Sequence, residues 1–121
     1  MTNQEVFDKV AAHLRKQGRP SARNGEGLYR GPKGLMCAIG VLIPDELYSV
    51  KFEKISVNAL PDDVRAVFGD ADPDLLSYLQ NVHDSLVIDR VPRSKFLATL
   101  EEELREVAEG RSDIVYTPPV A

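Results

Sequence analysis

Apolar residues return at helical spacing at both ends of the chain and lose that rhythm in the middle. Near the start, Val6, Val10 and Leu14 form one stripe that Phe7 and Ala11 widen, which is the i, i+4 signature of an amphipathic helix. Thr2 followed by Glu5 gives a capping-box start, and Gly18 with Pro20 stops the helix near Gln17. In the second half, Pro61 suits a first helical position, Asp62 and Asp63 favour a positive helix N-terminus, and Gly69 ends that segment. Asp72 then reads as an N-cap with Pro73 behind it, and Leu75, Leu76, Leu79, Val82 and Leu86 line one face up to about Val87. A last helix is expected from about Ser94 to Glu109. Its inward residues are Phe96, Leu97, Leu100, Leu104 and Val107, Glu101 pairs with Arg105, and Gly110 is the stop.

Between the first helix and these, residues 18–34 hold five glycines and two prolines. Leu28-Tyr29-Arg30, the turn Gly31-Pro32-Lys33-Gly34, and Leu35-Met36 read as a small β-hairpin. Residues 36–43 fit two descriptions: Ile39, Val41 and Ile43 alternate as in a strand, while Ala38 and Gly40 suit a closely packed helix. A short buried helix is the expectation. The fold class is therefore mainly α, a compact single domain of four to five helices with one small β-hairpin after the first helix. Residues 1–116 form the globular part, and 117–121, rich in proline, form a loose C-terminal tail.

Composition narrows the class. At 121 residues, 43% hydrophobic and 28% charged, the chain has the make-up of one globular domain. The longest apolar run, Leu35 to Ile43, is far short of the roughly twenty residues that span a bilayer. With no apolar leader at the start and one cysteine, which excludes an internal disulfide, a cytoplasmic protein is expected. The net charge of −4 conceals an asymmetry: residues 1–33 sum to +4 and the remainder to −8. Such a chain is a poor non-specific nucleic-acid binder, yet its basic segment can hold a small anion or an acidic partner.

The candidate chemistry is sparse. Asp70, Asp72 and Asp74 imitate a calcium loop, but Leu75 and Asn81 stand where the glycine and the bidentate glutamate belong. Gly25, Gly27 and Gly31 miss the dinucleotide glycine spacing by one residue. His83 falls on the apolar stripe of its helix and should be a neutral, hydrogen-bonded core residue; His13 lies at the edge of the first stripe. No spacing demands a metal site, and neither metal nor cofactor is expected. Cys37 follows a glycine-rich turn, so it could be a nucleophile with His83 as base and Asp84 or Asp89 as orienter. Its apolar neighbours favour a quiet buried thiol instead. The basic side chains Arg19, Arg23, Arg30 and Lys33, with the aromatic edge of Tyr29, make the 18–34 loop the expected binding surface.

The run from Tyr29 to Asp45 (YRGPKGLMCAIGVLIPD) resembles a pattern in a family of small tailed-bacteriophage and prophage proteins. That family also begins with a helix like Gln4 to Gln17 and carries a Leu-x-x-x-His-Asp helix, here Leu79 to Asp84. Its further cysteines, near Leu28 and Val41, are absent here. The resemblance implies a phage-type accessory or host-modulating protein in the bacterial cytoplasm. On this reading the chain acts by non-catalytic binding of a macromolecular partner or small anionic ligand through loop 18–34. The alternative is a small Cys-dependent hydrolase or transferase using Cys37, His83 and Asp84.

Overall fold

The computed structural model describes residues 1–119; Val120 and Ala121, the end of the expected tail, lie outside the described residues. Its architecture is mainly helical, with four α-helices, a two-stranded antiparallel hairpin after the first of them, and seven short 3-10 turns among the described residues. Among the described residues, no helix is long and apolar enough to cross a membrane.

Helix α1, Asn3–Gln17, begins with the expected capping box: Glu5 N–H donates to Thr2 Oγ1 at 3.1 Å and Thr2 N–H to Glu5 Oε1 at 3.0 Å. Thr2, chiefly through its backbone N–H, holds the Glu5 carboxyl below its usual range. The helix ends at Gly18, whose φ of +70° is the left-handed stop that glycine tolerates best. Helix α2 is a single turn, Asp62–Arg65, with Pro61 just before it rather than inside it. A 3-10 turn, Ala66–Phe68, prolongs it to Gly69. Helix α3, Pro73–Ile88, is capped by Asp72, and helix α4 runs Phe96–Glu109 after a 3-10 turn at Arg93–Lys95. α3 and α4 pack along each other and α1 packs against both. Val6, Val10, Leu14, Leu75, Leu79, Leu86, Leu100 and Leu104 are buried where they meet. Leu97 departs from expectation. It is one residue, about 100° of turn, past the buried Phe96, and it is exposed.

The hairpin also sits elsewhere than expected. Strands β1, Ala22–Arg23, and β2, Glu26–Gly27, pair across Asn24-Gly25, whose φ values are +54° and +79°. Asn-Gly with two positive φ angles is the type I′ signature, and it outcompetes the 31–34 turn. The pair expected at 28–36 shrinks to one bridge, Arg30 with Met36, around a 3-10 turn at Pro32–Gly34.

Residues 36–43 are not the expected buried helix but a single 3-10 turn, Gly40–Leu42. Two constraints prevent a helix. A side chain on Gly40 would lie 2.0 Å from the Tyr29 carbonyl oxygen, so this backbone is pressed against the preceding segment. Pro44 forces Ile43 into an extended conformation and cannot donate a hydrogen bond. Short 3-10 turns continue to Leu60 and feed Ile39, Leu42, Ile43, Phe52, Val57 and Leu60 into the core.

The segment after α4 folds back onto α1. Gln4 exchanges two bonds with the backbone of Val115, at 2.7 and 3.1 Å, and Ile114 is buried. Glu101 does not pair with Arg105 as expected. It takes both arms of Arg15 at 2.7 Å and the Tyr116 hydroxyl, while Arg105 lies over the Tyr116 ring. Arg15 also reaches the Thr117 carbonyl at 2.9 Å, where the expected tail begins.

Two outcomes follow from this packing. Leu100→Ala should cost about 2–5 kcal/mol in denaturant unfolding, because the site is closed on all sides; a loss well below that would mean the helices can collapse into the gap. Asp113 is held down to about 2 by hydrogen bonds from Arg111 and Asn3, against 3.8 when free. A lowered folded value gives stability above 3.8 that disappears as the pH falls through about 2. Amide protection of Val115 should therefore decline over that window, and Asp113→Asn should reduce the dependence, the remainder coming from other lowered carboxyls such as Asp72, which the same Arg111 holds.

Candidate functional site

The 18–34 segment has almost no sheet to satisfy its backbone, and polar side chains from other elements take that role. Ser21 N–H donates to His83 Nε2 at 2.8 Å, and His83 Nδ1 lies 2.9 Å from Asp84 Oδ1. A backbone N–H can only donate, so Nε2 must accept and the ring proton sits on Nδ1, directed at Asp84. Gln80 donates to the same Asp84 oxygen at 3.0 Å and accepts from Ile39 N–H at 3.2 Å. His83 is completely buried, as its place on the apolar stripe predicts. A second anchor is Glu53, which accepts from Tyr29 N–H at 2.8 Å, Arg30 N–H at 3.2 Å and the Tyr48 hydroxyl at 2.6 Å. Gln17 is the third, accepting from Met36 N–H and donating to the Met36 carbonyl, to which His13 also bonds at 2.9 Å.

This framework divides the expected binding residues. Arg23 and Lys33 are exposed, and Arg19 is half-buried. Arg30 is committed internally: its guanidinium bonds Asp45 at 2.7 Å and the Ile43 carbonyl at 2.6 Å, and it lies 5.0 Å from the centre of the Tyr48 ring. Tyr29 is buried with its hydroxyl on the Ile55 carbonyl, and burial, with nearby Cys37, Asp84 and Glu53, pushes its phenol well up. Arg23 and Arg30 line one cleft of about 380 Å³ with Leu28, Tyr48 and Val50, whereas Arg19 and Lys33 stand outside it. Across Glu53 lies a second cleft of about 320 Å³, bounded by Gly27, Tyr29 and the α3 residues Gln80, Asn81 and Asp84.

Sequence reading missed Glu53, Gln80 and Asn81. Glu53 serves backbone groups more than twenty positions away, and no periodicity encodes that. Gln80 differs in this respect: it lies one turn before Asp84 on the same helix, a spacing visible in the sequence.

Cys37 is fully buried, and its sulfur accepts from Gly40 N–H at 3.2 Å. Burial pushes the thiol up to about 12. The accepting nitrogen of His83 belongs to Ser21, and its donating nitrogen to Asp84, so the imidazole has no free site for a thiol proton. The two residues thus lack the geometry of a nucleophile and its base. Among the described residues no group of three or more His, Cys, Asp and Glu side chains is placed to hold a metal ion. Asp72 is occupied as the α3 cap and by Arg111 at 3.0 Å.

Native protein treated with iodoacetamide at neutral pH should stay unmodified at Cys37 while denatured protein reacts stoichiometrically; rapid native alkylation would contradict the burial and raised thiol. Comparisons of the chain with protein-family models, with curated proteins and with solved structures find no match.

Proposed function

We propose that this protein is a phage-type accessory protein that modulates a host process by binding, with the 18–34 segment as its contact surface. The observation that carries this reading is the contrast between the clamped backbone of that segment and the free cations it presents. Ser21, Tyr29 and Arg30 are fixed through their backbones by His83 and Glu53, while the Arg23 and Lys33 side chains extend into solvent. A surface ordered beforehand loses little entropy when it binds. Arginine's planar fork suits carboxylate or phosphate, so the partner chemistry is acidic: an acidic face of a macromolecule or a small anionic ligand. Arg30 contributes by shaping the Arg23 cleft with Tyr48, not as a free cation. The buried thiol of Cys37 speaks for binding over hydrolysis. The phage and host context rests on the resemblance of residues 29–45 and of the 79–84 motif.

Affinity capture from a bacterial lysate tests the reading. Arg23→Ala combined with Lys33→Ala should weaken capture of the partner about tenfold, and rising salt should weaken wild-type capture as charge contacts are screened. Both positions are exposed, so stability should change by no more than about 0.5 kcal/mol. Equal capture by the double variant and wild type would move the contact surface elsewhere. Arg30→Ala should instead lower thermal stability, because it removes contacts to Asp45, Ile43 and Tyr48 together.

A further inference from the structure

On the far side of Glu53 lies a second cleft, which shares that residue with the Arg23 cleft. Its volume of about 320 Å³ lies at the small end of the range for small-molecule sites. One wall is a single face of α3, where Ser77, Gln80, Asn81 and Asp84 follow each other at helical spacing; the opposite wall is the 54–57 turn. Tyr29, Ile55 and Val57 give it an apolar lining.

Asp84 is the group that selects a ligand. Its Oδ1 accepts from both His83 and Gln80, whereas Oδ2 has no partner among the described residues, and the side chain remains 37% exposed. The carboxylate is therefore held in one orientation with one oxygen open. Gly27 lets the hairpin pack close against the occupied side of this carboxylate: a side chain there would come within 2.7 Å of Asp84 Oδ1, and its φ lies outside the left-handed region, so spacing rather than conformation explains the glycine. Asn81 and Ser56 also lack intramolecular side-chain bonds among the described residues, which leaves an amide and a hydroxyl for a ligand.

Charge and geometry define what fits. Glu53 and Asp84 oppose Lys54, so the lining carries a formal charge of −1, and Lys54 itself points outward towards Glu26 at 3.7 Å. Both oxygens of Glu53 are occupied by the Tyr29 and Arg30 backbone and by Tyr48. A planar guanidinium prefers both oxygens of a carboxylate, and one of those on Asp84 is taken. A compact cation with three donors needs only the open oxygen and neutral acceptors beside it. We propose that this cleft binds a primary ammonium group, carried by a small free amine or a lysine side chain, with Asp84 Oδ2 as the anchor and Asn81 and Ser56 as supporting acceptors.

Titration of the 15N-labelled full chain with n-butylammonium tests this. Saturable amide shifts are expected at Gly27, Gln80, Asn81, Asp84 and the 54–57 turn, with affinity at least tenfold weaker for n-butylguanidinium and no saturation by n-butanol. Asp84→Asn keeps an oxygen for His83 and Gln80 but replaces the open oxygen by an NH2 donor. It should lower n-butylammonium affinity at least tenfold while the Ser21 and hairpin amide resonances stay in place. Asn81→Ala, at an exposed position that does not threaten folding, should weaken binding several-fold. Nα-acetyl-lysine-N-methylamide as a parallel probe separates the sources: tighter binding than n-butylammonium assigns the site to a lysine side chain, weaker binding to a free amine. The proposal is overturned if n-butylammonium does not saturate, if n-butanol gives the same pattern at the same affinity, or if both variants bind like wild type.

Discussion

One imidazole joins the loop region of this protein to its helical core. His83 is buried inside α3 with an acceptor nitrogen facing Ser21 and a donor nitrogen facing Asp84. The Ser21 bond fixes the start of the irregular 18–34 segment, and the Asp84 bond fixes a carboxylate in the cleft beneath the hairpin. If this contact were lost, a buried backbone N–H would have no partner, at a cost of about 1–3 kcal/mol. Both clefts would lose definition with it, since the hairpin edge forms a wall of each.

The same device recurs through the molecule. A stretch of chain without a sheet must still satisfy its N–H and C=O groups. Here Gln17, Glu53, Gln80 and Gln4 each reach across from another element to backbone groups at Met36, Tyr29 and Arg30, Ile39 and Val115. The helical core supplies most of the apolar burial, and these side chains decide how the irregular segments lie on it. This explains how so many consecutive 3-10 turns form one defined surface.

The division also explains what the sequence discloses. Helices α1, α3 and α4 are readable because burial repeats at helical period, and that period correctly places His83 inside. The capping box at Thr2 and the cap at Asp72 are local chemistry and equally readable. The hairpin was readable too, in Asn24-Gly25, but the glycine and proline spacing at 31–34 offers a rival turn. Residues 36–43 are not readable. Their conformation follows from the approach of Gly40 to the Tyr29 carbonyl, a contact between segments with no periodic trace. Arg30 resembles a free binding cation until Asp45, Ile43 and Tyr48 surround it, and Leu97 resembles core until the phase of α4 turns it outward. Of the candidate site, the basic segment and the His-Asp pair are visible from residue types. The two clefts are products of tertiary structure.

On the proposed reading, function follows from preorganisation: polar clamps hold a glycine-rich segment still, so that its Arg23 and Lys33 cations, and the open carboxylate of Asp84 on α3, are presented in fixed positions. The most direct test is the state of the clamp itself. Long-range 1H–15N correlation on the His83 ring at neutral pH should show a protonated Nδ1 and a bare Nε2, with slow hydrogen exchange at the Ser21 amide. A proton on Nε2, or a Ser21 amide exchanging at the rate of an unfolded chain, would contradict it.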